Sequence, residues 1–333
     1  MKIAIVILNW NGKTLLEQFL PAVIARSEGA DIYVADNASA DDSIAYVQTS
    51  FPSVQIVQNT QNWGFAKGYN EALQHIDADL YCLLNSDIEV AANWLAPIAE
   101  QFEREPNTAI IQPKILDHKD ASKFEYAGAA GGFIDKLGYP YCRGRIFQSI
   151  EKDTGQYDDV KDIFWATGAC MFIRKEVFWL LNGFDEDYFA HQEEVDLCWR
   201  AHNRGYNVQY VGASKVYHVG GATMHNMNPQ KTFLNFRNSL YSITKNLPKR
   251  YVASLIFMRL LLDAVAGARF LCYFQLFHFW AIIRAHLSYY ANLSKTLKKR
   301  GNTKKFQKYH GVTSIVWSYF VKGRKAYSLL NRN

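Results

Sequence analysis

The sequence predicts an α/β fold, a mostly parallel sheet flanked by helices, continued by a helical C-terminal extension. Two observations predict the first part. Over the first 220 residues short apolar runs alternate with helix-period stretches, and polar loops close four successive runs. A third observation predicts the extension: from Ala264 to Asn333 there are 13 Lys or Arg and no Asp or Glu, directly behind a dense apolar stretch.

The first run, KIAIVIL, is too short for a signal-peptide core and passes straight into the turn Asn9-Trp10-Asn11-Gly12, so it reads as the first strand. KTLLEQFLPAVIAR then has helical spacing. DIYVAD, VQIVQN and DLYCLL read as further strands, with FAKGYNEALQHI as a helix before the last of them. This rhythm describes βαβ units, whose ligands collect at the C-terminal ends of the strands. A chain of 333 residues that is 49% hydrophobic can bury a sizeable core, and its length suggests one large domain plus an appendage. Cys82, Cys142, Cys170, Cys198 and Cys272 are odd in number, scattered and never spaced C-x-x-C. That argues against a disulfide framework or a zinc site and fits a reducing, cytoplasmic setting.

The strand ends carry the chemistry. Asn9-Trp10-Asn11-Gly12, Asp36-Asn37-Ala38-Ser39, Asn62-Trp63-Gly64-Phe65-Ala66 and Asn85-Ser86-Asp87 follow the four strands in turn. Such a set suits a nucleotide: acceptors for base N–H groups, groups for ribose hydroxyls and a place for diphosphate. Neither G-x-x-x-x-G-K-[ST] nor G-x-G-x-x-G is present, so a metal ion is the expected neutraliser of the phosphates. Asp87 can offer a hard oxygen to Mg²⁺ or Mn²⁺.

Further along, FDEDYFAHQEEVDLCWR places Glu193, Glu194, Asp196 and Arg200 at the start of an amphipathic helix. Capping by the helix dipole explains acids there equally well. Gly168 and Ala169, expected on a strand, are small residues that an acceptor could approach, and VYHVGG ends a strand with His218 beside glycines. A lone His is more often structural, but this position suits a second metal ligand as well.

Taken in order, VILNWNG, VADNASADDS, NWGFAKGYNEAL, LLNSDIEV, ATGACMFIRKEVF, GFDEDYFAHQEEVDLCWRAHNRGY and VYHVGG resemble the motif series of inverting glycosyltransferases of family 2, which have the GT-A fold. Among these the chain is similar to bacterial rhamnosyltransferase-like enzymes. The resemblance covers about residues 1 to 225. It implies a GT-A domain over 1–225 and leaves 226–333 as the extension. It further implies that Asp36 binds the base of a nucleoside diphosphate sugar, that Asn9 and Asn11 line the nucleoside, and that Asn62 and Gly64 complete the donor loops. Asn85-Ser86-Asp87 stands at the family's D-x-D position with Asn for the first Asp, making Asp87 the direct metal ligand and leaving Asn85 for ribose or sugar. The family's base is the second acid of an E-D pair; here Gln192-Glu193-Glu194 puts Glu at that place, and the assignment lies between Glu194 and Glu193. A nucleotidyltransferase is a poorer fit because NWNGKTLL is a weak phosphate loop, and a catalytically inactive scaffold would need neither a metal carboxylate nor a base.

The extension follows from its own residues. Residues 251–290 are dense in Leu, Phe, Ile and Trp, but the longest charge-free piece, Phe270 to Ile283, has 14 residues, short of the roughly 20 that span a bilayer. Arg259 and Asp263, four apart, can pair on one helical face. With the basic run KTLKKRGNTKKFQK behind it, the segment reads as a monotopic anchor on an anionic membrane surface or as helices packed on the core. No recognition motif accompanies the charge, so nucleic acid is not the expected partner. The anchor suits a peripheral enzyme at the cytoplasmic face of the cell membrane, acting on a glycan or polyprenyl-diphosphate-linked acceptor.

Overall fold

A computed structural model describes residues 1–220, 228–301 and 308–330. Gly221 of the VYHVGG motif, the 225/226 boundary and part of the basic run lie outside the described residues.

The chain opens as β1 (Ile3–Asn9), α1 (Lys13–Ala25), β2 (Ala30–Asp36), α2 (Ser43–Ser50), β3 (Gln55–Gln58), α3 (Gly64–Leu73) and β4 (Leu80–Asn85). The four strands and the helices α1 and α3 are those that the apolar alternation predicts, and α2 is an addition to them. β1 pairs in parallel with β2 and β4, and β2 with β3. The continuous apolar runs have a physical reason: successive residues feed two different cores. Ala4, Val6, Tyr81 and Leu83 face one, while Ile3, Ile5, Ile7, Leu80, Cys82 and Leu84 face the other, under α1 and α4.

β5 (Ile88–Val90), α4 (Ala96–Arg104) and β6 (Thr108–Asp117) follow. β7 (Gly132–Ile134), β8 (Pro140–Cys142), β9 (Arg145–Ile146) and β10 (Ser149–Ile150) form a small antiparallel sheet. β11 (Val160–Asp162), β12 (Cys170–Arg174), α5 (Lys175–Leu180), α6 (Glu193–Asn203) and β13 (Asn207–His218) complete the α/β part. The large sheet runs β11-β13-β6-β12-β4-β1-β2-β3, with β5 added on β13. It is mixed: β12 lies antiparallel between β4 and β6, whereas β13 runs parallel to β6. Gly168 and Ala169 sit in the turn before β12 and not on a strand, because the ladder to β4 begins at Cys170.

The extension consists of α7 (Pro229–Asn246), α8 (Lys249–Cys272), α9 (Leu276–Ala291), α10 (Leu293–Lys298) and α11 (Ile315–Phe320). α7 lies between α6 and α9, and all its residues from Asn238 to Asn246 are buried. α8 buries Leu255, Ile256, Arg259, Asp263 and Gly267, and leaves Phe257, Met258, Leu261 and Val265 exposed. Apolar residues therefore point both ways, and no helix among the described residues is long and apolar enough to cross a membrane. Arg259 and Asp263 do share a face, 3.8 Å apart, but it is the inner one. Arg259 donates to Leu137 O and Ser239 Oγ, while Asp263 accepts from Tyr139 Oη at 3.2 Å and meets His286 Nε2 at 3.0 Å.

Removing one member of this buried set strands the other charge, at a cost of about 3–5 kcal/mol. Asp263→Ala is expected to lower unfolding stability by about that amount in denaturant titration. A loss below about 1 kcal/mol, the range of an exposed ion pair, would mean that α8 is not docked through this pair.

Candidate active site

The ends of β1, β2 and β4, the turn before β12, the end of β13 and the start of α6 meet on one side of the sheet. Backbone bonds tie them together. Asn37 N donates to Asn9 O, Asn85 N to Ala169 O, and Val219 N to Asp87 O. Phe65 N and Ala66 N, at the start of α3, both donate to Phe189 O, in the turn that precedes α6.

Asn9 and Asp36 form the floor. Both are buried; Asn9 Nδ2 donates to Asp36 Oδ1 at 3.0 Å and to Ser43 Oγ at 2.9 Å, and Asp36 accepts from Ser39 N and Oγ. Gly12 is required here because a Cβ would stand 2.4 Å from Asn9 Oδ1, a buried atom with no hydrogen-bond partner. Asn11 holds the rim, accepting from Ala40 N through Oδ1 at 2.7 Å. Asn62 is exposed and accepts from Gly64 N at 2.9 Å; the Phe189 ring occupies the space beside Gly64, and Phe65 that beside Gly168. Asn9, Asn11 and Asp36 are thus brought together, while Asn62, Gly64, Gly168 and Ala169 are spent on the neighbouring turns.

Asp87 and His218 meet directly, with Oδ1 and Nε2 3.1 Å apart and both side chains buried. β5 pairs with the end of β13, setting His218 opposite Ile88, and so fixes the contact. His218 Nδ1 faces Glu125 Oε2 at 3.3 Å. Burial alone would lower the His218 pKa, but hydrogen bonds to Asp87 and Glu125 outweigh it and push it up to about 10. Two buried carboxylates thus demand a positive charge between them.

That donor set fits a divalent cation. A carboxylate and an imidazole whose other nitrogen is oriented by a second carboxylate is the arrangement that metal-binding His residues usually have. Glu125 lies on the far side of the ring, and among the described residues no three His, Cys, Asp or Glu side chains enclose a metal by themselves. Water and phosphate oxygens would complete a Mg²⁺ or Mn²⁺ shell.

The start of α6 carries the acids. Phe189, His191 and Gln192 have φ of 62°, 67° and 71°, which turns the chain sharply into the helix. Glu193 Oε2 and Glu194 Oε2 are buried with no hydrogen-bond partner. Burial, and then the neighbouring Glu194 charge, push Glu193 well above the carboxylate range. Burial lifts Glu194 to about 7 against the pull of the backbone amides of the first turn. Asp196, one turn further, differs in kind. Burial would raise it, but Lys245 and Arg200 hold it below its ordinary value, with Lys245 Nζ at 2.9 Å, Arg200 Nε at 2.8 Å and Asn246 Nδ2 at 2.7 Å. Asp196 joins α6 to α7 and faces no cleft.

Sequence reasoning missed Glu125, a lone acid in a glycine-rich loop, and Asn238 of α7, which donates to Tyr188 O, Ala190 O and His191 O. Neither stands in a motif. The pattern of Asn238 among helical apolar residues signals burial, not its partners.

Comparison with known proteins agrees with this architecture. The profile of glycosyl transferase family 2 matches residues 4–181. The N-acetylglucosaminyl-diphospho-decaprenol L-rhamnosyltransferase of Mycobacterium tuberculosis is 24% identical over 220 residues, 61% of this chain and 71% of that protein. Rhamnosyltransferase WbbL of Escherichia coli K12 is 32% identical over 255 residues, 70% of this chain and 94% of that protein. The fold is similar to that of GalNAc-T7 solved with UDP, GalNAc and Mn²⁺, at a TM-score of 0.58 and 16% identity over 75% of this chain. The chain spans about half of that protein's length, 48%. With more than half its length under the family profile and a GT-A-like mixed sheet beneath the site, the chain belongs to glycosyl transferase family 2.

Proposed function

We propose that this glycosyltransferase moves a sugar from a nucleoside diphosphate sugar to a hydroxyl of a polyprenyl-diphosphate-linked glycan, with inversion, in cell-surface polysaccharide synthesis at the cytoplasmic face of a bacterial membrane. The observation that carries this reading is the pair of carboxyl groups at the head of α6, each with a buried oxygen that has no hydrogen-bond partner, beside the meeting of Asp87 and His218 at the strand ends. The names of the two rhamnosyltransferases support the sugar and acceptor classes.

Glu194, with a pKa near the working pH, is suited to general-base catalysis. Its Oε2 accepts the acceptor hydroxyl proton as that oxygen bonds to the anomeric carbon, and the bond to the diphosphate breaks on the opposite face. A single displacement inverts the centre. Glu193, pushed well above the carboxylate range by burial and by the neighbouring Glu194 charge, is suited to donating a hydrogen bond instead. Asp87 and His218 would hold a divalent cation, which when bound would supply Lewis-acid stabilisation of charge on the departing diphosphate. Asn9, Asn11 and Asp36 form the floor for the nucleoside, Asn85 faces ribose or sugar, and the turns bearing Asn62, Gly64, Gly168 and Ala169 shape the donor and acceptor sides.

The apolar surface supports a membrane partner. At the elbow between α8 and α9, Phe274 is 89% and Phe277 80% exposed, beside Tyr273, Leu276 and Trp280. The Arg269 guanidinium lies over the Phe320 ring, which brings exposed Trp317 and Phe320 of α11, and Val321 just past it, to the same edge. Arg269, Lys322 and Lys325 border this edge and are exposed, and each basic group near an anionic leaflet contributes on the order of 1 kcal/mol. The membrane charge comes from these residues rather than from the whole basic tail, because Lys295 and Lys299 pair with Asp187 and Asp185.

Asp87→Ala is expected to abolish donor turnover and Mn²⁺ binding measured by calorimetry, and His218→Ala to weaken Mn²⁺ binding. Full metal affinity in both variants would return the pair to a structural role.

Glu194→Gln is expected to lower kcat by a factor of roughly 10² to 10⁴ with donor KM kept. Because burial raises Glu194, wild-type kcat should rise with pH through an apparent pKa near 7. An acid limb near 4.5, the ordinary Glu value, or activity retained in Glu194→Gln and lost in Glu193→Gln, would overturn the assignment.

Full-length protein should co-sediment with vesicles containing anionic lipid at low salt, and Phe274→Ser with Phe277→Ser should release it. Equal sedimentation of wild type and double variant would remove the elbow from the interface.

A further inference from the structure

The turn before α6 is held from two sides. Phe189 O points to the start of α3, where Phe65 N and Ala66 N donate to it at 3.0 and 3.3 Å. The carbonyls of Tyr188, Ala190 and His191 point the other way and converge on one wholly buried amide, Asn238 Nδ2, at 3.1, 3.0 and 2.7 Å. Asn238 Oδ1 accepts from Arg237 Nε at 2.9 Å, which fixes the direction of the amide, and Arg237 Nη2 donates to Asp187 O and Tyr188 O. Two amide hydrogens serve three carbonyls, and no other side chain that substitutes there would donate twice from the same reach.

The turn so held is a strained one. Phe189, His191 and Gln192 all have left-handed backbone conformations without being glycine, and such residues persist only where surrounding contacts over-determine them. The next two residues are Glu193 and Glu194. Any relaxation of the turn rotates the head of α6 and with it both carboxylates.

We propose that Asn238 of α7 is a positioning residue for glycosyl transfer: it holds the 188–192 turn and so aims Glu194 at the acceptor hydroxyl. The inference rests on the reading of Glu194 as base. It also places part of the catalytic apparatus on a helix beyond the region that the family profile matches.

The test compares four forms of the full-length chain with nucleoside diphosphate rhamnose and a lipid-linked glycan acceptor: wild type, Asn238→Ala, Asn203→Ala and Glu194→Gln. Asn203 is the control because it donates to Asn246 O at 3.1 Å across the same α6–α7 interface but at the other end of α6. Asn238→Ala should lower kcat by about 10- to 100-fold, the usual cost of a misplaced catalytic group, with donor KM within about twofold. Its acid limb should move to lower pH, since water reaching Glu194 relieves the burial that raises its pKa. Asn203→Ala should lower thermal stability while keeping the wild-type acid limb and kcat within about threefold, the range expected when no reacting group moves. If Asn238→Ala does not fold, Asn238→Ser, which keeps one donor, must show the same split between kcat and KM. Wild-type kcat and pH profile in the folded Asn238 variant, or equal losses in Asn203→Ala, overturn the proposal. Should Glu194→Gln be inactive in that case, only the positioning role falls; an active Glu194→Gln overturns the base assignment and this inference with it.

Discussion

Everything at the catalytic end of the molecule depends on one buried ionic junction. Asp196 of α6 is enclosed by Lys245 and Asn246 of α7 and by Arg200 of its own helix, and Lys245 reaches on to Asp185 at 2.5 Å. Taking these charges out of water costs several kcal/mol per ion, returned only because each is paired and hydrogen-bonded. The junction therefore tolerates one arrangement of α6 against α7. A purely apolar seam would permit sliding, and sliding would carry Glu193 and Glu194 away from the strand ends.

The same helix thus carries acids of opposite character within four residues. Asp196 has cations and stays ionised. Glu193 is buried and Glu194 partly so, neither has a cation against it among the described residues, and burial drives their pKa values up. Divergent environments for neighbouring carboxyls are how a fold prepares an acid and a base near pH 7. At the ends of β4 and β13 the balance reverses again: Asp87 and Glu125 flank His218 and together call for a positive charge. A proton on His218, whose pKa the two carboxylates push up to about 10, meets that demand.

Much of this was legible in the sequence where local pattern and tertiary role coincide. β1 to β4 each have apolar residues on both faces because both faces are covered, and their ends carry Asn9, Asp36, Asn85 and Asp87 because parallel strands deliver their C-termini to one side. The pairing of Arg259 with Asp263 also followed from helical spacing. What escaped was non-local. The antiparallel insertion of β12 cannot be inferred from CMFIR, since an apolar strand reads alike in either direction. Glu125 reaches His218 only through the folding of the loop between β6 and β7, and Asn238 is one more polar residue in a helix until the carbonyls it binds are placed around it.

The basic end of the chain shows why a charge count is not a charge distribution. Residues 1–263 carry 24 basic and 31 acidic groups, and the 13 positive charges beyond them are a surface surplus only if they all face solvent. Lys295 and Lys299 instead neutralise Asp187 and Asp185, next to the turn that leads to Glu193 and Glu194. Arg300 donates to Thr244 O and Leu247 O at the end of α7. Part of the surplus is thus internal, tying α10 and the residues after it to Asp185, Asp187 and the end of α7, while Arg269, Lys322 and Lys325 are among those that stand exposed. One sequence feature thus serves two places: the inner cations pair with Asp185 and Asp187 ahead of α6, while Phe274 and Phe277 stand exposed at the elbow between α8 and α9.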